Sequence, residues 1–199
     1  GILVGGSNPI ARAPWNEPGI IGKLLDAGAQ GVIVPMVNSA EEAQAAVDAC
    51  CYPPLGARSW GPSGAAPRLD NYFTASGDQV ATIVMVETVQ ALNNVDAIVN
   101  TPGVDAVYVG PADLSISLGL PPGNNDDAAE FTEALHAIVA ACQNAGVVPG
   151  IHSSGSLTPL RLEQGFRMIT VTADNVAINV GVQAELARAR GEGAEGSNS

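Results

Sequence analysis

Six short apolar segments alternate with longer stretches of helical spacing along this chain of 199 residues, and that alternation limits the fold more than any other feature. The segments are apolar at consecutive positions, as expected for strands that are buried on both faces. Strands that are separated by helical stretches, with almost no hairpin signal, predict a parallel sheet with helices packed outside it. The predicted strands span residues 9–12, 31–35, 80–86, 104–109, 147–151 and 166–171.

Local signals mark where several helices begin and end. Glu17 followed by Pro18 is typical of a helix start, and Ser39 with Glu42 forms the capping-box pattern. Gly28 and Gly146 are typical of helix ends. Later helices are predicted over 89–99, 126–145, 157–163 and 174–190.

A closed barrel of eight strand–helix units and an open doubly wound sheet both fit this alternation. No Gly-x-Gly-x-x-Gly follows the first strand, which disfavours the open sheet. A complete barrel typically has about 250 residues and eight units, whereas this chain has six. We therefore expect one α/β barrel domain over residues 1–190 that lacks its first two βα units, followed by a disordered tail over 191–199. The Pro- and Gly-rich stretch 52–68 is expected to be a functional loop at the barrel mouth.

Composition disfavours several classes of function. With 20 Asp and Glu against 8 Lys and Arg, the chain has a net charge of −12, which disfavours binding to nucleic acid or to anionic membranes. No apolar run approaches the roughly 20 residues of a bilayer span, and the N-terminal segment is not typical of a signal peptide. Three cysteines without CxxC spacing are expected to be reduced thiols, which predicts a cytoplasmic location. The sequence also lacks a nucleophile elbow, a phosphate loop and a His-Glu-x-x-His motif.

Barrels and doubly wound sheets both place their active sites where the strands end, so polar residues at those positions are the catalytic candidates. They are Arg12, Glu87, Asp113, His152 and Thr172. Glu87 and Asp113 are separated by about one strand–helix–strand repeat, so they should end neighbouring strands. Because such strands are ~4.8 Å apart, both carboxylates could bind one cation, and oxygen ligands without nearby His or Cys favour Mg²⁺ or Mn²⁺ over Zn²⁺. The alternative is that Glu87 caps the next helix and Asp113 closes a turn.

Two of these candidates, Arg12 and His152, and two other arginines each have more than one interpretation. Arg12 ends the first strand, where its guanidinium could bind a carboxylate or stabilise developing negative charge, with a surface ion pair as the alternative. His152 is a weaker candidate, because a lone histidine at a strand end is more often a hydrogen-bonded structural residue. Arg58 and Arg68 flank the stretch 52–68 and could line a pocket or an interface, and the sequence favours neither.

Five segments, in order along the chain, resemble the HpcH/HpaI aldolase and citrate lyase family. They are Arg12-Ala-Pro-Trp-Asn-Glu-Pro, Val34-Pro-Met-Val, Tyr52-Pro-Pro-Leu-Gly, Val86-Glu-Thr and Gly103-Val-Asp-Ala-Val-Tyr-Val-Gly-Pro-Ala-Asp-Leu-Ser. The Gly-Pro-Ala-Asp-Leu-Ser part is the most specific. The chain is most similar to the class II pyruvate aldolases that act on 2-keto-4-hydroxy acids, and macrophomate synthase is a related fungal branch.

The resemblance implies a (β/α)₈ TIM barrel of the phosphoenolpyruvate/pyruvate type, in a homo-oligomer that exchanges its last helix between partners. It implies that Glu87 and Asp113 bind a divalent metal ion, Mg²⁺ or Mn²⁺ with Co²⁺ as a further option. Arg12 matches the arginine that contacts the pyruvyl oxygen, and the backbone at Ala112 and Asp113 would receive the carboxylate of the 2-keto acid substrate. The implied reaction cleaves a 4-hydroxy-2-oxo acid to pyruvate and an aldehyde through a metal-stabilised enolate, or runs in reverse.

The sequence departs from the family pattern in two respects. The acidic-and-histidine motif that follows the family's second strand and serves proton transfer has no counterpart in these residues. Met85 stands where some relatives have a glutamine that touches the substrate. Two alternatives therefore stay open: a catalytically inactive truncated barrel that keeps metal or keto-acid binding, and a macrophomate synthase-like enzyme that uses the pyruvate enolate in synthesis.

Overall fold

The strands of the protein form a parallel sheet in which spatial order follows sequence order. The computed structural model describes residues 2–68 and 71–191. The strands are β1 (Ile10–Arg12), β2 (Gly31–Val34), β3 (Ala81–Met85), β4 (Ala106–Val109), β5 (Val148–Ile151) and β6 (Met168–Ile169). Each strand pairs in parallel with the next. A doubly wound sheet reverses its order at a switch point, so the sequential order is that of barrel winding. The predicted α/β class is confirmed, and the doubly wound alternative is wrong.

Helices connect the strands, and most of them lie where the sequence predicts. They are α1 (Pro18–Asp26), α2 (Ala40–Cys50), α3 (Tyr72–Gln79), α4 (Val89–Asn93), α5 (Val95–Val99), α6 (Pro111–Ser117), α7 (Ala129–Ala145), α8 (Thr158–Glu163) and α9 (Asp174–Ala189). The predicted helix over 89–99 is two short helices that meet at Asn94, and α3 and α6 were not expected. Residues 192–199 of the predicted tail lie outside the described residues. In the part of the chain that the structure describes, no helix has the length and apolar character of a membrane span.

Side chains of the residues next to each helix start or end explain the boundaries. The Glu17 carboxylate accepts hydrogen bonds from two backbone N–H groups at the start of α1. Ser39 caps α2 by accepting from the backbone N–H of Glu42 at 3.2 Å. The Glu42 carboxylate accepts from the N–H of Asn38 at 2.6 Å, one residue before the position that a full capping box uses. Gly146 ends α7 with a φ of 72°, a left-handed conformation that suits glycine.

The two faces of the sheet pack against different partners. On the outer face, Val84, Val86, Val107 and Val109 belong to the main core with the helices. On the inner face, Ile83, Met85, Ala106 and Tyr108 form a smaller buried cluster. Because side chains alternate along a strand, Glu87 continues the inner row of Ile83 and Met85. Arg12 also faces inward, since its neighbour Ala13 is buried in the main core.

Helix α7 provides much of the outer core. Phe131, Leu135, Ile138 and Cys142 follow each other at helical spacing, and each is completely buried. Burial of each large apolar side chain stabilises the fold by about 1.5–3 kcal/mol. This packing holds α7 against the sheet.

The stretch 52–68 lies at the amino-terminal end of the strands, so the expectation that it lines the barrel mouth is wrong. Backbone N–H groups of this stretch donate to the carbonyl oxygens of Asp26 and Asp48, at 2.8 and 2.7 Å, near the carboxyl ends of α1 and α2. Arg58 is buried there, pairs with Asp26 at 2.7 Å and donates to the hydroxyl of Tyr72 at 3.1 Å. The reason is connectivity: a segment that leads from a helix to the next strand returns to the edge where strands begin.

Candidate active site

Four of the polar residues that the sequence singles out lie at the carboxyl edge of the sheet. Arg12 is the last residue of β1, and Glu87 lies two residues beyond β3. Asp113 lies in the first turn of α6, just beyond β4. His152 follows β5 directly. In a parallel sheet these ends share one edge, so the prediction that they lie at the same rim is confirmed.

Glu87 is the buried carboxylate of this edge. Its side chain is 1% exposed, although glutamate rarely occurs in protein interiors. Oε1 accepts a hydrogen bond from the backbone N–H of Met36 at 2.9 Å. Oε2 is buried and has no hydrogen-bond partner among the described residues. Thr88, not Glu87, caps α4, and Asp113 lies in the first turn of α6, so the helix cap and the turn that were the alternative roles of the two carboxylates are not observed.

The charges of Asp113 and Arg12 both act on the Glu87 carboxyl group. Burial raises the pKa of the Glu87 carboxyl group, and the hydrogen bond from Met36 lowers this pKa. The negative charge of Asp113 raises the same pKa further, and the positive charge of Arg12 lowers it. In residues 2–68 and 71–191 Arg12 forms no ion pair, so the expected alternative of a surface ion pair is not observed.

Gly110 gives the Glu87 carboxylate its space. A Cβ atom at this position would overlap Glu87 Oε2 and would lie 3.1 Å from the terminal methyl group of Met85. The backbone before α6 therefore approaches the carboxylate as closely as only glycine permits. The Gly-Pro-Ala-Asp segment thus contributes to the position of both carboxylates: its glycine makes room for Glu87 and its aspartate is Asp113.

Met36 supports the Glu87 carboxylate through its backbone, a contact that the sequence did not predict. Its φ is 55°, a left-handed conformation that costs a non-glycine residue of order 1–3 kcal/mol. Asn38 donates from its side chain to the Met36 carbonyl at 2.8 Å and supports this turn. The strained turn directs the Met36 N–H to Glu87. A positive φ at a methionine leaves no signal in the sequence.

The residues at this edge fit a divalent cation. Within the described residues, no group of three or more His, Cys, Asp and Glu side chains forms a metal cluster. Mg²⁺ nevertheless needs only one or two carboxylates from a protein, because water and substrate oxygens complete its octahedron. Glu87 offers an oxygen that has no partner in the described part of the chain, and Asp113 offers a second, exposed carboxylate.

A cavity of about 400 Å³ opens at the same edge, between the ends of β5 and β6. We name it the β5–β6 cavity; its polar lining consists of His152, Ser153, Ser154, Ser156, Thr170 and Thr172. The Tyr108 hydroxyl, on the inner face of the sheet, hydrogen-bonds to Thr170 and lies 3.5 Å from His152 Nδ1. Of these residues, sequence reasoning named only His152 and Thr172.

The remaining candidates lie apart from this edge or stay predictions. Arg58 is at the opposite end of the strands, in the ion pair with Asp26. Arg68 lines a smaller cavity of about 150 Å³ beside Gly28, also at that end. Ala112 is exposed in the first turn of α6 next to Asp113, and its role toward a substrate carboxylate remains a prediction.

Comparisons with known proteins relate this chain to one family. A family profile described as HpcH/HpaI aldolase/citrate lyase matches residues 4–180. The hydroxypyruvate/pyruvate aldolase of Rhizorhabdus wittichii is 37% identical over 191 residues, which cover 95% of this chain and 76% of the relative. The 4-hydroxy-2-oxo-heptane-1,7-dioate aldolase of Klebsiella pneumoniae is 38% identical over 187 residues, which cover 92% of this chain and 70% of the relative.

Solved structures agree with the sequence comparison. A HpcH/HpaI aldolase/citrate lyase family protein from Burkholderia cenocepacia has a TM-score of 0.84 at 32% identity, over 92% of this chain and 74% of that protein. Macrophomate synthase has a TM-score of 0.82 at 31% identity, over 95% of this chain and 68% of that protein. The resemblance in the sequence is therefore confirmed: the chain belongs to the HpcH/HpaI aldolase/citrate lyase family.

Proposed function

We propose that this protein is a divalent-metal-dependent aldolase that cleaves 4-hydroxy-2-oxo acids to pyruvate and an aldehyde, and that also catalyses the reverse addition. The observation that carries the proposal is the buried Glu87 carboxylate, on which the charges of Asp113 and Arg12 act and whose Oε2 has no hydrogen-bond partner within residues 2–68 and 71–191. The names of the two aldolase relatives support the same class of reaction.

Glu87 and Asp113 are the proposed metal ligands, with Mg²⁺ or Mn²⁺ as the expected ion and Co²⁺ as a further option. When bound, such an ion acts as a Lewis acid that polarises the keto group of the substrate. Met36 fixes the orientation of Glu87 through its backbone N–H, and Gly110 leaves the room that Oε2 occupies. These two residues are therefore the proposed positioning residues of this ligand.

Arg12 is the proposed catalytic residue at the keto oxygen. In cleavage the C3–C4 bond breaks, the C4 hydroxyl loses its proton to a base, and C4 becomes the aldehyde carbon. The electron pair of the broken bond passes into the pyruvate enolate, which then takes a proton at C3. The Arg12 guanidinium stabilises the negative charge that develops on the keto oxygen, more in the transition state than in the ground state. The backbone at Ala112 and Asp113 is proposed to receive the substrate carboxylate.

The quaternary and cellular setting is part of the proposal. We take the six strands as six of the eight strands of a TIM barrel, in one domain over residues 1–190. No residue of α9 is buried, although its exposed side chains include Ile178, Val182 and Leu186 at helical spacing. Such a helix is suited to packing on a partner subunit, which supports a homo-oligomer with an exchanged last helix. The three free thiols support a cytoplasmic location.

The test is pyruvate release by the purified protein. With Mg²⁺ or Mn²⁺, cleavage of a 4-hydroxy-2-oxo acid is followed by coupling pyruvate to NADH oxidation through lactate dehydrogenase. Chelator, Glu87→Gln and Asp113→Asn should each abolish release, whereas Glu133→Gln, which removes a charge from the exposed face of α7, should not. Release that persists in chelator and in both variants would refute the proposal.

A second candidate function is synthetic use of the same enolate. The similarity to macrophomate synthase, at a TM-score of 0.82, favours it. The two functions can be separated by forming the pyruvate enolate in the presence of an electrophilic pyrone and analysing the products. A product in which a carbon–carbon bond joins the enolate to the pyrone, without release or consumption of an aldehyde, would support the synthetic enzyme. Pyruvate binding without any turnover would instead indicate the inactive alternative.

A further inference from the structure

His152 and Glu87 lie at the same level on the same face of the sheet. The register of β3, β4 and β5 places Glu87, Gly110 and His152 side by side, just beyond the strand ends. The N–H of His152 donates to the carbonyl oxygen of Val109 at 3.0 Å, so the pairing of β4 with β5 continues to this level. Ile151 packs in the main core with the helices. Because side chains alternate along a strand, His152 faces the inner side, as Glu87 does.

Gly110 leaves the space between these two side chains open. Glycine has no side chain, and the Glu87 carboxylate lies over it, since a Cβ atom at Gly110 would overlap Oε2. The next strand, β5, is one strand spacing away, ~4.8 Å. The Glu87 carboxylate is therefore separated by about one strand spacing from the strand end that carries His152. A substrate of a few carbons that is held at Glu87 can thus contact the imidazole ring.

Tyr108 supports the imidazole ring from the inner face of β4. Its hydroxyl hydrogen-bonds to Thr170 and lies 3.5 Å from His152 Nδ1. Burial raises the pKa of the Tyr108 hydroxyl, and the hydrogen bond to Thr170 lowers this pKa. When the hydroxyl donates to Thr170, its oxygen can accept the Nδ1 proton of His152. The lone pair of the imidazole is then on Nε2, where it can accept a proton from a substrate.

The other described ionisable groups at this edge have roles that do not include proton transfer. Glu87 and Asp113 are the proposed metal ligands, and the guanidinium of Arg12 stays protonated, as arginine does in proteins. His152 is exposed, so it can exchange a proton with water. Histidine is also the residue that most often acts as a general base in enzymes.

We propose that His152 is the general base of the aldol reaction and that Tyr108 is its positioning residue. In cleavage, Nε2 takes the proton of the C4 hydroxyl, the C4–O bond becomes a carbonyl, and the C3–C4 bond breaks. The electron pair of that bond passes into the enolate, whose C3 takes a proton from water, and the imidazolium releases its proton to water. In the reverse addition, His152 protonates the aldehyde oxygen. The inference rests on the proposed function, because the substrate must be held at Glu87.

The experiment compares two reactions that form the same enolate with Mg²⁺ present. Cleavage of a 4-hydroxy-2-oxo acid needs a base for the C4 hydroxyl proton. Decarboxylation of oxaloacetate breaks the corresponding C3–C4 bond by loss of CO₂ and has no such proton to remove. Pyruvate release is measured in both, and the rate with Mg²⁺ alone is subtracted. His152→Asn should lower kcat for cleavage about 100-fold and leave kcat for decarboxylation unchanged.

Three further variants sharpen this comparison. His136→Asn is the matched control, because His136 is exposed on α7 and its replacement should change neither reaction. Added imidazole should restore part of the cleavage activity of His152→Ala, since the free base can accept the proton in place of the missing side chain. Tyr108→Phe should lower kcat for cleavage about fivefold, as expected for the loss of one hydrogen bond, and leave decarboxylation unchanged.

The two reactions also separate this inference from the proposed function. Cleavage that persists in His152→Asn would overturn the inference and leave the proposed function standing. An equal loss of cleavage and decarboxylation in this variant would overturn it as well, because it would show that His152 only maintains the structure of the edge. If the wild type catalyses neither reaction, the proposed function fails and the inference fails with it.

Discussion

Replacing Glu87 by glutamine should stabilise the metal-free protein and remove its stabilisation by metal. The Glu87 carboxylate is 1% exposed, and its Oε2 has no hydrogen-bond partner among the described residues. Burial is the main reason that its pKa is raised. Glutamine keeps the shape and the acceptor for the Met36 N–H but carries no charge that burial would penalise.

The expected sizes of the two effects follow from this environment. An unpaired buried polar atom costs about 1–3 kcal/mol, and the glutamine amide still lacks one partner, so the net gain without metal should be about 1 kcal/mol. For a chain of this size that gain raises Tm by about 2–4 °C. At a metal concentration about 100 times Kd, binding stabilises the wild type by about 2.7 kcal/mol, or about 5–10 °C.

Differential scanning fluorimetry with and without Mg²⁺ measures both effects in one experiment. The wild type should gain Tm with metal, whereas Glu87→Gln should start higher and gain almost nothing. Glu133→Gln is the control, because it removes a charge from an exposed site and should behave as wild type. A Glu87→Gln protein with a wild-type metal shift, or with a lower metal-free Tm, would show that this carboxylate does not have the role we assign to it.

Four further predictions concern the same edge. Gly110→Ala should force Glu87 aside, cost about 1–3 kcal/mol in urea unfolding and abolish the metal-induced Tm shift. Asp113→Asn should weaken metal binding in calorimetry by at least about tenfold and leave the circular dichroism spectrum unchanged, because Asp113 is exposed. Arg12→Ala should lower kcat/KM by about 100-fold while the metal-induced Tm shift persists; loss of both would contradict a role at the keto oxygen. Because the pKa of Glu87 is raised in the folded state, that state binds more protons than the unfolded chain does. The contribution of Glu87 to the stability of the metal-free protein should therefore decrease as pH rises through the titration of this carboxyl group. Urea titrations at several pH values should show this decrease in the wild type and not in Glu87→Gln.

Much of the fold is predictable because its signals are local. Apolar runs indicate the strands, and residues such as Ser39 and Gly146 indicate helix boundaries through the backbone groups that they satisfy or the conformations that they permit. Helix α6 has no comparable signal, because it has seven residues and begins with Gly-Pro, a pair that is equally typical of turns. The break at Asn94 is hidden for a similar reason, since the apolar spacing continues across it.

The candidate site is predictable only as far as strand ends determine it. Glu87, Asp113 and Arg12 can be named because parallel strands bring their ends to one edge. The hydrogen bond from Met36 could not be predicted, because the left-handed backbone conformation of this methionine is determined by its surroundings in the fold and not by its neighbours in the sequence.

The ion pair between Arg58 and Asp26 and the carboxylate of Glu87 lie at opposite ends of the same strands. Heat resistance and substrate choice are therefore separate engineering problems in this scaffold. A library that varies the surroundings of Arg58 can be screened for survival at high temperature, while another around Glu87 is screened for new substrates. The best variants of the two libraries should combine with additive benefit, because no side chain belongs to both.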